Sequence, residues 1–183
     1  MNNKKGCKIG MCGSMSVGKT TLVNALRELP EFKDYYFATE RSKYLRDLGI
    51  PLNTDSTLKG QTIFLAERCT ELMHDNLITD RTVIDVIAFT LEAKSINIID
   101  KAGFEMYAQC LINEYDYIFY ISPEGVEIED NGVRTTDSNY RDQIDKTIQQ
   151  ILRMYRDKIK NYGELKGTTQ ERIETIKQHI YNK

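Results

Sequence analysis

The apolar positions of the chain switch repeatedly between a two-residue and a helical period, and the switching reads as strand, helix, strand along its length. Residues 7–12 form a short apolar run bounded by glycine, as a buried strand does, and Leu22, Ala25, Leu26 and Leu29 then share one helical face. The aromatic run 35–40 predicts a second strand closing on Glu40, followed by a polar stretch and a loop over 48–53. Asp55 or Ser56 is placed to cap a long helix running to about Asn76, with Leu58, Leu65, Cys69, Leu72 and Met73 as its apolar face. Residues 77–80 make a compact third strand ending on Asp80. A helix over 83–94, and another with Phe104, Tyr107, Ala108 and Leu111 on one face, lead to the clearest strand, 115–122. Residues 127–134 are polar and lack core periodicity, whereas 138–160 repeats Ile144, Ile148, Ile151, Leu152, Tyr155 and Ile159 at helical spacing. A fifth strand and turn over 162–168 and an amphipathic helix from Gln170, carrying Ile173, Ile176 and Ile180, follow. Strands alternating with helices predict a mostly parallel five-stranded sheet covered on both faces, a three-layer α/β fold. No repeat, linker or low-complexity tract interrupts residues 1–183, which read as one domain.

Composition leaves that picture intact. The 183 residues are 40% hydrophobic and 28% charged, so neither disorder nor a fibrous architecture is expected. A net charge of −2 with mixed signs argues against a dedicated nucleic-acid binder, although a local basic groove could sit within a neutral total. Cys7, Cys12, Cys69 and Cys110 form no C-x-x-C pair and do not partner His74 or His179, so they read as buried thiols in a reducing compartment. With no apolar run of membrane length and no signal-peptide core, the expected location is the cytoplasm, away from membranes; a homodimer is left open.

The chemistry centres on Gly13-Ser14-Met15-Ser16-Val17-Gly18-Lys19-Thr20, which meets the phosphate-loop pattern G-x-x-x-x-G-K-[ST] at every fixed position, between a strand and a helix as the pattern requires. Backbone N–H groups of Gly13, Ser14, Ser16, Val17, Gly18 and Lys19, with Thr20 and Thr21 opening the helix, are expected to cradle ATP. Lys19 can reach the β and γ phosphates, and Thr20 with Asp80 is the candidate Mg²⁺ shell. Transfer to a hydroxyl also needs a carboxylate beside the acceptor and cations that follow the moving charge. Glu40 is the candidate base, at the carboxyl end of a strand where an open α/β sheet forms its ligand crevice. Arg81, Arg134 and Arg141 are the candidate catalytic cations, the last two on a lid at about residues 123–142 that would close over the phosphates and exclude water. Glu40, Arg41, Gln61, Arg68, Arg81 and Asp85 are the candidate substrate contacts. Gln61 and Arg68, seven apart on one helix, could read a base edge and a sugar or phosphate, or form an ordinary polar helix face. Asp85 could hold the Arg81 guanidinium or serve the helix start. Thr168 is placed to touch the base of the triphosphate.

Together, the phosphate loop, Glu40, Asp80-Arg81, Asp130-Asn131-Gly132-Val133-Arg134, Arg141 and Lys166-Gly167-Thr168 resemble the P-loop kinases similar to nicotinamide riboside kinase and to the deoxynucleoside and nucleoside-monophosphate kinases. The resemblance spans the chain and implies the P-loop NTPase fold, an acid after the second strand as base or substrate ligand, and an arginine lid. It implies Mg·ATP as donor and a nucleoside, nucleotide or related small molecule as acceptor. An AAA-type ATPase description is compatible with the same loop. Met15 and Ser16 stand where many relatives carry small or acidic residues, and residues 41–68 match no one substrate class. Three rivals share the loop. A switch GTPase would use Asp100-x-x-Gly103, yet Ser122-Pro123-Glu124 stands where a guanine-reading element belongs. A regulatory or motor ATPase would carry a water-activating acid beside Asp80, where Arg81 stands instead. A kinase acting on nucleic acid would keep the catalytic half and add a basic, aromatic-lined groove.

Overall fold

A computed structural model describes residues 6–39, 42–124 and 138–181. Glu40, Arg41, Arg134 and most of the expected lid lie outside the described residues. Five strands, β1 (Lys8–Cys12), β2 (Tyr36–Ala38), β3 (Leu77–Thr79), β4 (Tyr117–Ile121) and β5 (Tyr162–Leu165), form one sheet in the order β2-β3-β1-β4-β5. All four pairings are parallel, and Gly10 lies opposite both Thr79 and Ile118. The first strand is therefore the central one: from it the chain goes out to the β2 edge, returns through β3, and then crosses to β4 and β5 on the other side. Ligand crevices open at such a reversal, outside the carboxyl ends of the strands.

Among the described residues seven α-helices cover the sheet: α1 (Lys19–Arg27), α2 (Ser42–Asp47), α3 (Leu58–Glu71), α4 (Val83–Glu92), α5 (Ile98–Ala108), α6 (Ser138–Met154) and α7 (Thr169–Tyr181). On one face Ile9, Met11, Phe119 and Ile121 pack against Leu22, Leu26, Ile173 and Ile176 of α1 and α7. On the other, Ile118 and Tyr120 meet Ile84 and Ile87 of α4 and Ile144 and Ile148 of α6, with Phe64 and Leu65 of α3 nearby in the same core. Every residue of β4 is buried, as a parallel strand covered on both sides requires.

Several local expectations are corrected. Ser42–Asp47, from the end of the polar run onward, folds as α2, and a 3-10 turn, Asn53–Asp55, starts on the last residue of the expected loop. The cap of α3 is Thr57, whose extended backbone lets its hydroxyl accept from the Gly60 N–H at 3.2 Å; Asp55 is consumed by the turn before it. That helix stops at Glu71, and His74 beyond it stacks on Tyr36 at 3.8 Å between ring centroids. Only Phe104 and Ala108 of α5 are buried; Tyr107, a quarter-turn away from Ala108, is 64% exposed. Helix α6 ends at Met154 because Tyr155 leaves helical geometry, its hydroxyl bonding Glu105 at 3.0 Å, and the chain turns to bury Ile159. Cys110 is exposed, unlike the buried thiol expected. Asp100 and Gly103 lie inside α5, capped by Asn97, so the D-x-x-G element of the GTPase alternative is ordinary helix.

Candidate functional site

The loop from Gly13 to Gly18 joins the end of β1 to the start of α1 through backbone that few side chains tolerate. Gly13 holds φ 154°, and a Cβ there would lie 2.5 Å from the Ile121 carbonyl oxygen. Gly18, at φ 82°, is the N-cap of α1, and Ser16 holds φ 59°, a strained value for a residue with a side chain. Lys19 curls back so that its ammonium donates to the Gly13 and Ser14 carbonyls, the latter at 2.7 Å. The Thr20 hydroxyl donates to Asp80 Oδ2 at 2.6 Å, joining the first turn of α1 to the residue after β3.

Two residues from distant parts of the chain hold this loop. Asp85 has no solvent exposure; one oxygen accepts from the Gly13 N–H at 3.1 Å, and the other accepts from the Thr82 N–H and hydroxyl, each at 2.8 Å. It thus completes the capping box of α4 and stands 3.8 Å from the Lys19 ammonium. Arg172 of α7 donates to the Val17 carbonyl at 2.8 Å, filling an acceptor that the loop turns away from the phosphate side. Cys12, directly before the loop, is fully buried, and burial reinforced by Asp85 pushes its thiol well above the ordinary value, so it stays protonated.

A cleft of about 310 Å³ is lined by Lys19, Thr20 and Asp80 together with the apolar side chains of Leu52, Phe64 and Phe89. Arg81 lines it with its guanidinium over both rings, 5.3 Å from the Phe64 centroid and 5.1 Å from that of Phe89. Gln61, buried to 3% exposure, lines the same cleft, as does Ser56, whose buried hydroxyl has no hydrogen-bond partner. An unmatched hydroxyl in a ligand-sized cavity marks a place for a polar atom from outside the chain.

The fold brings Gly13, Ser14, Ser16, Val17, Gly18, Lys19, Thr20 and Asp80 together, and Gln61 and Arg81 line the cleft. Thr21 is exposed on α1, and Arg141 sits in the first turn of α6. Three expectations change. Arg68 does not line the cleft: it is 1% exposed and paired with Glu71, whose carboxyl burial pushes up against the pull of that guanidinium. Asp85 faces the loop and not the acceptor, because the N-terminus of α4 needs a carboxylate there more than Arg81 does. Thr168 is engaged as the cap of α7, its N–H donating to Glu171 at 2.7 Å and its hydroxyl bonded to the same carboxylate. The side chain of Met15 is buried and lines the cleft. Ser56, Phe64, Phe89 and Arg172 were missed. The two phenylalanines carried a helical-spacing signal that also fits plain core, and the other two carried none.

Behind the loop, Tyr120 donates to Asp145 of α6 at 2.8 Å, and Gln149 donates to it at 2.8 Å. Burial raises the Asp145 carboxyl above its ordinary value, with these two donors pulling the other way. A carboxyl raised in the folded state costs stability once the pH climbs past the ordinary aspartate range, and costs nothing in acid where both states hold the proton. Asp145→Asn is therefore expected to raise the melting temperature by about 1–3 °C at pH 7, with the gain vanishing near the acid end of the titration. Equal shifts at both ends would show that the hydrogen bonds, and not the charge, set the effect.

Residues 8–172 match the model of a family described as AAA domain. No curated protein matches the chain by sequence. Among solved structures, deoxyadenosine kinase from M. mycoides with products dCMP and dCDP superimposes with a TM-score of 0.63 at 16% identity, over 96% of this chain and 100% of that one. NadR protein in complex with NR gives 0.71 at 17% identity, over 95% of this chain and 51% of that one, so this chain spans about half of NadR. Thymidylate kinase from Candida albicans gives 0.64 at 14%, over 97% and 90%. The parallel five-stranded sheet, with a phosphate loop leaving its central strand, is the fold these kinases share, and the chain belongs to the AAA domain family.

Proposed function

We propose that the protein transfers the γ-phosphoryl group of Mg·ATP to a nucleoside, a nucleoside monophosphate or a closely related small acceptor. One observation carries this reading: a single cleft is lined both by Lys19, Thr20 and Asp80 and by Gln61, Phe64 and Phe89, so a triphosphate and a planar acceptor would meet inside it. Lys19 would exchange the Gly13 and Ser14 carbonyls for the β and γ oxygens and follow the charge as it moves. Thr20 and Asp80, already in contact, would hold Mg²⁺, which would supply positive charge against the triphosphate. Among the described residues no three His, Cys, Asp or Glu side chains cluster as metal ligands, which suits an ion that takes its remaining ligands from phosphate and water. Gln61 would read a base edge, Ser56 a sugar or base atom, and Arg81, clamped between two rings, the reacting end of the acceptor. Glu40 and Arg41, following β2, are assigned to the acceptor hydroxyl, and Arg134 and Arg141 to the lid. The four free thiols favour a reducing compartment, and we place the enzyme in the cytoplasm.

The deciding experiment incubates the protein with Mg·ATP and a panel of nucleosides, nucleoside monophosphates and 5′-hydroxyl oligonucleotides, reading ADP release and phosphorylated product by mass spectrometry. A phosphorylated small acceptor is expected; ADP without any phosphorylated product counts against the proposal. Glu40→Gln is expected to lower kcat by about 10²-fold while leaving ADP affinity intact. An unchanged kcat removes Glu40 from the mechanism.

A further inference from the structure

Among the described residues the fold buries two arginines, Arg68 and Arg172, and it treats them differently. Arg68, 1% exposed, is paired with Glu71 and stands 3.7 Å from Glu67. Arg172, 9% exposed, pairs with no carboxylate among the described residues. Its neighbour Glu171 is turned to the Thr168 N–H and hydroxyl at the opening of α7. The Arg172 Nη1 donates to the Val17 carbonyl at 2.8 Å, and its Nε is shut off from water with no partner among the described residues. Burial lowers the pKa of this guanidinium, and no described anion pulls the other way.

The surroundings add to that charge and do not answer it. A Cβ on Gly18 would lie 3.2 Å from the same Nη1, so the guanidinium sits against the N-cap of α1, at the positive end of its dipole. Lys19 follows in the chain. Of the two carboxylates at the loop, Asp85 takes the Gly13 and Thr82 donors and Asp80 takes the Thr20 hydroxyl. A buried cation without a counter-charge costs stability that an apolar side chain of similar volume would not. The cost is recovered where an anion binds.

The bond to Val17 also sets a direction. The Val17–Gly18 peptide is trans, and in a planar trans peptide the carbonyl of one residue and the N–H of the next point opposite ways. Holding the Val17 carbonyl toward α7 therefore turns the Gly18 N–H toward the inner side of the loop, where backbone donors receive a phosphate. We propose that Arg172 is a positioning residue for the bound triphosphate: it aims the Gly18 N–H through the Val17 carbonyl and adds, from behind the loop, a positive charge that the phosphates answer. The proposal rests on the nucleotide-binding half of the function above and is independent of the acceptor.

Titration calorimetry of the whole protein with Mg·ADP and with inorganic triphosphate tests it. Arg172→Met is expected to weaken both by about 10-fold, the size of one charge acting through a few ångströms of protein. Arg172→Lys recovers most of that loss, because the contact with Val17 uses one N–H and needs no planar fork. The gap between wild type and Arg172→Met narrows as salt is raised, as a charge effect does and a lost brace does not. Circular dichroism and melting curves without ligand check folding, and Arg172→Gln, neutral and still a donor, takes the place of Arg172→Met should the latter fail to fold. Wild-type affinity in the neutral variant, equal losses in the neutral variant and Arg172→Lys, or a gap indifferent to salt overturns the inference. Wild-type protein that binds neither Mg·ADP nor inorganic triphosphate overturns the nucleotide reading itself, and the inference with it.

Discussion

Lys19→Ala lowers kcat for phosphoryl transfer by about 10³-fold in the expected outcome, the upper range for deleting one preorganised charge at the reacting centre. The ammonium already lies in the loop, held by the Gly13 and Ser14 carbonyls, so it has little distance to travel to a bound phosphate. Its side chain is 12% exposed, and in that partly dehydrated setting its charge is screened less than on the surface. Removing it leaves Asp85 with its Gly13 and Thr82 donors, so the fold survives and the melting temperature moves little. Lys19→Arg does not restore activity, because a planar fork cannot occupy the place of a point charge within so tight a loop. Single-turnover kinetics at saturating Mg·ATP make the measurement; an Ala variant retaining more than about a tenth of the wild-type rate would sink the assignment.

Asp85→Ala is the largest expected stability loss. It strips acceptors from the Gly13 and Thr82 N–H groups at a site closed to water, and each stranded donor costs about 1–3 kcal/mol. A loss on the order of 3 kcal/mol lowers the melting temperature by about 6–12 °C for a chain of this size. It also frees the start of the phosphate loop, so ADP affinity falls in the same variant. Asp85→Asn, which keeps one acceptor oxygen, recovers part of the stability. Thermal melts with and without ADP check both halves, and a melting temperature equal to wild type for Asp85→Ala would refute the brace.

How much the sequence disclosed depended on the range of each interaction. The phosphate loop was legible because its chemistry is contained in eight consecutive residues, and strands buried on both faces announce themselves as unbroken apolar runs such as Tyr117–Ile121. The partnership of Thr20 with Asp80 followed from where strands end in a parallel sheet. Asp85 was misassigned because a carboxylate four residues after an arginine fits two neighbours equally well in one dimension, and only the packing of α4 against β1 chooses the loop. Arg68 failed for a related reason: a helix face holding Gln61, Phe64 and Arg68 gives no sign of depth, and the cleft ends before the third of them. Tyr107 was read as core because it falls near Ala108 and Leu111, yet it lies about 100° around the helix from Ala108 and is 64% exposed.

The bond between Arg172 and Val17 spans 155 positions of the chain. A nascent chain makes the phosphate loop 155 positions before the residue that braces it, and β1 likewise waits for both β3 and β4 before it has neighbours. Contacts of such sequence separation form late, after the loops between them have closed. The nucleotide site is therefore a terminal event of folding, so a refolding chain regains helix content before it regains the power to hold a phosphate. A fluorescent nucleotide added during refolding would light up in the slowest phase, and a ribosome-stalled chain lacking α7 would stay dark.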